Sequence, residues 1–256
     1  MTRSSIPEAA QWPNETVQPS KFALAYQPVV DITRGHDVVV AFESLLRVTR
    51  GGVTFGPLDL VAEAEANGSI VAIDRWVLGE VIRLARTRPA LSVWINTSQL
   101  SIADPSFLTD AIRALAASRT LGRISFEITE TANVDAQLLA KRLEVLRLRA
   151  ITVLIDDIRD GHAKRGLLLS DAVAGCKLSC ETMLELHTSA SARAEVQQLL
   201  AICRYRHKKV VMEGIETPAD LALAKDLGIT LCQGYLFARP TSPELLTHFA
   251  QMRPSE

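Results

Sequence analysis

The chain has 256 residues, a length that fits one large α/β barrel or two small domains. Its 28 basic and 29 acidic residues give a formal net charge of −1, which argues against the basic footprint of a protein that coats nucleic acid. Hydrophobic residues make up 48% of the chain, which is enough for a sizeable core.

Residues 1–20 are predicted to form a flexible leader, because three prolines stand there among Ser, Thr, Glu and Asn residues. Residues 21–256 are then one barrel domain. The leader has no apolar run typical of a signal peptide, and no stretch approaches the roughly 20 apolar residues needed to cross a membrane. These features predict a cytoplasmic protein with no membrane partner. The four cysteines lack paired C-x-x-C spacing, which argues against zinc and predicts buried, reduced thiols.

Apolar runs of strand length alternate with helical patterns along the rest of the chain. Strands are predicted at 24–32, 38–48, 92–96, 124–129, 151–156, 172–178, 209–213 and 229–233. Helices are predicted at 76–86, 102–118, 136–149, 192–206 and 218–227. This alternation indicates parallel pairing through βαβ units, and about eight strands in a chain of this size favour a closed α/β barrel.

Polar side chains stand at or near the ends of most of the predicted strands. They are Glu43, Asn96, Glu127, Thr129, Asp156, Asp157, Lys177, Glu213 and Gln233. Barrel active sites form at the rim where the carboxyl ends of the strands meet, so we expect five carboxylates around one pocket. Like charges at that density repel each other unless cations compensate them. A set of oxygen ligands favours magnesium, manganese or calcium over zinc.

Each of these residues also has an ordinary structural explanation. Asp156 and Asp157 could cap a helix, Glu213 could precede a turn, and Lys177 could be a lysine at the core edge with a solvated head. Taken singly, these explanations are the better ones. Taken together they require a coincidence at the same end of many strands, which favours a shared functional site.

Several segments resemble the EAL-domain cyclic di-GMP phosphodiesterases of bacteria, over residues 22–249. They are YQPVVD at 26–31, FESLLR at 42–47, FEITET at 126–131, VMEGIET at 211–217 and QGYLFARP at 233–240. In the segment that resembles the name motif, Ser44 stands in place of alanine. The resemblance implies a modified TIM-type (β/α)8 barrel whose first strand runs antiparallel to the others.

The resemblance also implies roles for individual residues. It implies a site for two divalent ions, Mg²⁺ or Mn²⁺. One ion would be held by Glu43, Asn96, Glu127 and Asp156, and the other by Asp156, Asp157 and Glu213. Ca²⁺ is expected to bind without supporting turnover. Catalytic roles fall to Glu43, Lys177 and Glu216, and nucleotide contacts fall to Gln27, Arg47 and Gln233. The implied product is the linear dinucleotide pGpG.

Two departures from the family pattern keep a second interpretation open. The loop after the predicted strand 151–156 carries Ile158, Arg159 and Asp160 where the family has Phe, Gly and Thr, and Ser179 stands in place of an aspartate. The alternative is an inactive or weakly active receptor that binds cyclic di-GMP and acts through a regulatory protein partner. A module that has lost the nucleotide is disfavoured by Gln27, Arg47, Asn96 and Gln233. Homodimerisation stays open, and no direct nucleic-acid contact is expected.

Overall fold

The computed structural model describes residues 21–33, 38–129, 134–158 and 166–252, and the predicted leader lies outside them. The strands are β1 (Phe22–Asp31), β2 (Val38–Arg50), β3 (Val53–Phe55), β4 (Val93–Ser98), β5 (Ile124–Thr129), β6 (Val153–Ile155), β7 (Gly175–Leu178), β8 (Lys209–Met212) and β9 (Leu231–Cys232). The helices are α1 (Leu58–Asn67), α2 (Ile70–Thr87), α3 (Gln99–Ala103), α4 (Pro105–Ala117), α5 (Ala136–Leu148), α6 (Cys180–Thr188), α7 (Ala190–Tyr205) and α8 (Pro218–Asp226). A 3-10 helix spans Pro243–Met252.

The sheet closes into a barrel. Its order is β1-β9-β8-β7-β6-β5-β4-β2-β3, and β1 also pairs with β2, so that eight strands form the barrel and β3 is a short hairpin strand on β2. Strand β1 is antiparallel to both of its neighbours, β2 and β9, whereas β2 and the strands from β4 to β9 pair in parallel. The predicted barrel with an antiparallel first strand is therefore confirmed.

Several predicted element boundaries were wrong. The helix expected at 102–118 is two helices, because Asp104 has extended backbone angles and its side chain accepts a hydrogen bond from the Phe107 amide to begin α4. Helix α2 begins at Ile70 rather than at residue 76. The elements β3, α1, α6 and the 3-10 helix were not predicted.

The core has two layers. The larger one packs the helices against the outside of the barrel, with Phe107, Phe126 and Leu143 fully buried in it. A smaller layer inside the barrel contains Val29, Ala41, Trp94, Leu154 and Val211. Parallel strands covered on both faces carry nearly continuous apolar runs, which is the pattern seen in the sequence.

Two further expectations concern the cysteines and the membrane. All four cysteines are free thiols, and three are buried, but Cys180 is exposed at the start of α6, so the prediction of four buried thiols was wrong for that residue. Within the described ranges, none of the helices is both long enough and apolar enough to cross a membrane.

A buried carboxyl group ties α2 to the end of β4. Asp74 on α2 accepts a hydrogen bond from the Ser98 amide at 3.0 Å, and the Ser98 hydroxyl donates to Glu65 at 2.6 Å. Burial raises the pKa of Asp74 to about 7, against the opposing hydrogen bonds from Ser101 and Ser98. Folding thus shifts Asp74 towards its protonated acid, which is the major form only below about pH 7.

We expect Asp74→Asn to stabilise the protein relative to the parent, increasingly so as the pH rises from 5 towards 8. The folded-state pKa of Asp74, about 7, lies above the unfolded value, so the parent loses stability as the pH rises through this window. The difference in the free energy of unfolding should grow by on the order of 2 kcal/mol. Urea unfolding at several pH values measures it, and a pH-independent difference would contradict the assignment.

Candidate functional site

The strands bring polar side chains together at the carboxyl end of the barrel. Glu43 lies on β2, Glu127 on β5 and Lys177 on β7, while Asp156 follows β6 and Glu213 follows β8. The pairing registers of these parallel strands align them, as with Asn96 on β4 opposite Glu127 on β5. This rim is where α/β barrels build their active sites.

The ammonium group of Lys177 lies at the centre of four carboxylates. Its Nζ atom is 3.0 Å from Glu43 Oε2, 3.4 Å from Glu127 Oε1, 3.2 Å from Asp156 Oδ1 and 2.6 Å from Glu213 Oε1. The Lys177 side chain is only 1% exposed. We call Glu43, Glu127, Asp156 and Glu213 the carboxylate ring.

Side-chain amides extend the network on one side of the ring. Asn96 Nδ2 donates to Glu43 Oε1 at 2.7 Å, and Gln233 Nε2 donates to Glu43 Oε2 at 2.7 Å and to Gln27 Oε1 at 3.1 Å. Gln27 in turn donates to the backbone oxygen of Ala238 at 3.2 Å. Glu43 is thereby fixed by two neutral donors and by the Lys177 ammonium.

Burial and charge act on the ring in opposite directions. Burial raises the pKa of Glu127 well above its usual range, and it raises the pKa of Glu213 to about 7, although the Lys177 ammonium opposes both shifts. Burial also acts to raise the pKa of Glu43, but Lys177, Asn96 and Gln233 outweigh it and hold that pKa below the ordinary value. Burial acts to lower the pKa of Lys177, but the four carboxylates outweigh it and raise that pKa well above normal.

The donor set suits divalent cations that prefer oxygen. Within the described residues, Asn96 Oδ1, Glu127 Oε1 and Asp156 Oδ1 are buried and have no hydrogen-bond partner, and the last two lie 3.4 and 3.2 Å from Lys177 Nζ. Buried oxygens normally have partners, so these three fit a role as metal ligands. In the described part of the chain, no three His, Cys, Asp or Glu side chains form a ready-made metal cluster. The Lys177 ammonium holds the central position instead.

Three other predicted site residues are not members of the carboxylate ring. Asp157 is exposed and has a left-handed backbone (φ 46°), which an aspartate tolerates better than most residues. Arg47 is half-buried on β2 and donates to the backbone oxygen of Leu46 at 3.0 Å. Glu216 is exposed in the segment between β8 and α8. The divergent residues Arg159 and Asp160 fall outside the described residues.

Sequence reasoning missed the residue that anchors the segment carrying Glu213 and Glu216. The Asp220 carboxylate accepts hydrogen bonds from the Glu216 and Thr217 amides at 3.1 and 2.8 Å and from the Thr217 hydroxyl at 2.9 Å, and it contacts His187 Nε2 at 2.6 Å. Thr217 and Asp220 form a capping box at the start of α8. The Thr-Pro-Ala-Asp spacing is the signal that could have identified it.

Gly214 allows the same segment to pack tightly. Its φ is 71°, and a Cβ atom at this position would lie 2.7 Å from Cys180 Cβ. A side chain is therefore excluded next to Glu213 by backbone conformation and by close approach. The structure thus explains why the VMEGIET segment has a glycine at this position.

We expect Asp220→Ala to destabilise the protein by on the order of 2 kcal/mol, because two backbone amides lose a buried acceptor. The matched variant His187→Ala keeps the capping box and removes only the contact to the half-exposed imidazole, so it should cost about 1 kcal/mol or less. Urea unfolding of both variants measures the difference. Equal losses would contradict the role given to the capping box.

The chain belongs to the EAL domain family, whose sequence model matches residues 10–240. It is 29% identical over 247 residues to the protein named cyclic di-GMP phosphodiesterase NbdA of Pseudomonas aeruginosa, covering 92% of this chain and 31% of that protein. It is 30% identical over 233 residues to cyclic di-GMP phosphodiesterase PA2567 of the same species, covering 88% of this chain and 39% of that protein. The chain therefore spans roughly a third of the length of these relatives.

Solved structures show the same fold. A structure described as the PaMucR phosphodiesterase in complex with c-di-GMP superposes with a TM-score of 0.80 at 28% identity, covering 89% of this chain and 94% of that one. The EAL enzyme Bd1971 gives a TM-score of 0.83 at 20% identity over 93% of this chain and 66% of that one. The predicted family is thus confirmed.

Proposed function

We propose that the protein hydrolyses cyclic di-GMP to the linear dinucleotide pGpG with divalent metal, as a phosphodiesterase of bacterial second-messenger signalling. The observation that carries the proposal is the carboxylate ring around Lys177 at the barrel rim. It occurs in a family whose relatives NbdA and PA2567 are named cyclic di-GMP phosphodiesterases.

The ring and its neighbours supply oxygen ligands for two Mg²⁺ or Mn²⁺ ions. Glu43, Asn96, Glu127 and Asp156 are proposed to hold one ion, and Asp156, Asp157 and Glu213 the other. When bound, such ions acidify an attacking water and neutralise charge on the phosphoryl oxygens. Two divalent ions together with the Lys177 ammonium would balance the formal charge of the five carboxylates. Ca²⁺ shares the oxygen preference, and we expect it to bind without supporting turnover.

The chain's own residues then bind and orient the nucleotide. Hydrolysis adds one water across one phosphodiester linkage, so that a phosphorus–oxygen bond forms, another breaks, and the leaving oxygen takes a proton. Lys177 places a buried positive charge where negative charge develops on the phosphate. The Gln233 Oε1 atom is buried, has no hydrogen-bond partner among the residues that the structure describes, and can accept a hydrogen bond from a base N–H. Gln27 orients Gln233, and Arg47 offers a planar fork for phosphate or guanine.

Glu216 is proposed to act through the loop that follows β6 rather than on the phosphate. It is exposed, and its backbone is fixed by Asp220 on α8. The Ile158 amide at the start of that loop donates to the Lys177 backbone oxygen at 3.0 Å. A carboxylate that anchors this loop would therefore influence Asp157 and Lys177 together.

The second candidate is a receptor that binds cyclic di-GMP with weak or no turnover and acts through a protein partner or a second copy. The divergent residues from Ile158 to His162 favour it, because they directly follow the proposed metal ligands Asp156 and Asp157. The ligand set itself is complete, and this keeps hydrolysis as the first candidate. A cytoplasmic location remains an expectation from the sequence.

We expect the purified chain to convert cyclic di-GMP to pGpG in Mn²⁺ or Mg²⁺, and Glu43→Gln to lower kcat on the order of a hundredfold or more, because the ring loses a charged ligand. Chromatography of the linear product measures both. The matched control Glu144→Gln makes the same chemical change on α5, at a side chain that is 47% exposed, and should retain activity. Excess chelator should abolish turnover in the parent.

Other outcomes separate the two candidates. Nucleotide binding in Ca²⁺, with no turnover in Mn²⁺ or Mg²⁺, would support the receptor and contradict hydrolysis. Absence of binding at micromolar nucleotide would overturn both. Turnover that survives complete chelation would show that the metal assignment is wrong.

We expect Arg47→Ala to raise KM about tenfold or more while leaving kcat less affected, since a charged hydrogen bond to the nucleotide contributes about 1.5–3 kcal/mol. Arg47→Lys should recover little, because the ammonium lacks the planar fork. Steady-state kinetics with both variants tests this. A fall in kcat at unchanged KM would place Arg47 in the chemical step instead.

A further inference from the structure

We propose that Lys177 is an internal counter-cation that competes with divalent metal for the carboxylate ring. The inference rests on the proposed function in one respect, namely that the ring binds divalent cations. It assigns Lys177 a second role, which is exerted on the protein before any nucleotide arrives. This role sets the metal affinity of the site and the stability of the metal-free protein.

The Lys177 ammonium contacts more carboxylates than it can satisfy by hydrogen bonds. One Nζ atom lies within 3.4 Å of an oxygen from each of Glu43, Glu127, Asp156 and Glu213. An ammonium group has only three N–H donors, so it cannot satisfy four carboxylates with good geometry. In the part of the chain that the structure describes, Glu127 Oε1 and Asp156 Oδ1 lack a hydrogen bond, although Lys177 Nζ donates to the other Glu127 oxygen, Oε2, at 3.4 Å. The lysine therefore compensates the ring only partly.

The residues that Lys177 contacts are the same ones that are proposed to bind metal. All four members of the ring are also the carboxylates proposed to bind metal, and Glu127 and Lys177 are almost fully buried. A divalent cation and the Lys177 ammonium therefore compete for the same carboxylate oxygens. Metal binding requires Lys177 to give up some of these contacts, so part of the metal affinity is offset by lost lysine contacts and by cation–cation repulsion.

Removal of the Lys177 charge should affect the stability of the metal-free protein and of the metal-bound protein differently. Without metal, removal of the Lys177 charge takes away the one cation that all four members of the ring contact, and the loss of one partner from a buried charged group is strongly destabilising. With metal, the divalent charge replaces what was lost. A lysine that served only packing would instead lower stability equally in both states, and a lysine that served only the nucleotide would change neither.

The test uses Lys177→Met, which keeps the length of the side chain and removes the charge. Lys209→Met is the matched control, since Lys209 is exposed at the opposite end of β8 from Glu213. Mn²⁺ titration by calorimetry at about pH 8, without nucleotide, should give a Kd about tenfold or more lower for Lys177→Met than for the parent. In chelator its melting temperature should fall by about 4 °C or more, and saturating Mn²⁺ should restore most of that loss. The control should match the parent in both measurements.

Each other result is informative. A Lys177→Met protein with unchanged or weaker Mn²⁺ affinity overturns the inference, as does an equal loss of melting temperature in chelator and in Mn²⁺. If the variant fails to fold in chelator, folding on addition of Mn²⁺ supports the inference, and failure to fold in both overturns it. A parent chain that binds no Mn²⁺ overturns both the inference and the proposed function. A parent that binds Mn²⁺ and hydrolyses the nucleotide, with a variant of unchanged affinity, overturns the inference alone.

Discussion

The site depends on one interaction, the attraction between the buried Lys177 ammonium and the four acidic side chains that surround it. Burial raises the pKa of Glu127 well above its usual range despite the Lys177 charge, whereas for Lys177 burial acts to lower the pKa and is outweighed. The mutual attraction keeps Lys177 charged and holds the pKa of Glu43 low. Breaking such a buried group by removing one member costs far more than the net contribution of the group to folding. The cluster is therefore better explained as a poised functional site than as a source of stability.

The barrel explains why this cluster can exist at all. Glu43, Glu127 and Lys177 lie far apart in sequence, and each is placed by a strand whose backbone hydrogen bonds are satisfied by its neighbours. The apolar layer inside the barrel fixes those strands below the rim. The rigid sheet thus opposes the electrostatic tendency of the carboxylates to separate.

The sequence predicted the fold well where the pattern is local and regular. Near-continuous apolar runs ending in acidic residues indicated parallel strands that meet at one rim. The antiparallel direction of β1 came only from the family resemblance, because apolar periodicity does not encode strand direction. The break at Asp104 was missed because apolar residues stand on both sides of a three-residue interruption at 104–106, although Asp104 and Pro105 together form a helix start signal.

The organisation of the site was less predictable than its membership. The positions of the strand ends identified the carboxylates of the site. Their spacing in the sequence does not show that one lysine contacts four of them, because this depends on side-chain reach across the barrel. The same limit applies to Asp220, which acts on the site through the backbone of Glu216 and Thr217.

Gln233 contacts the site through both its backbone and its side chain. Its backbone amide donates to the Met212 backbone oxygen at 2.8 Å, while its side-chain amide donates to Glu43. The segments that follow β8 and β9 are therefore linked through the main chain as well as through the ring. Changes in one segment would reach the other by these hydrogen bonds, so variants on this side of the rim are expected to be coupled rather than additive.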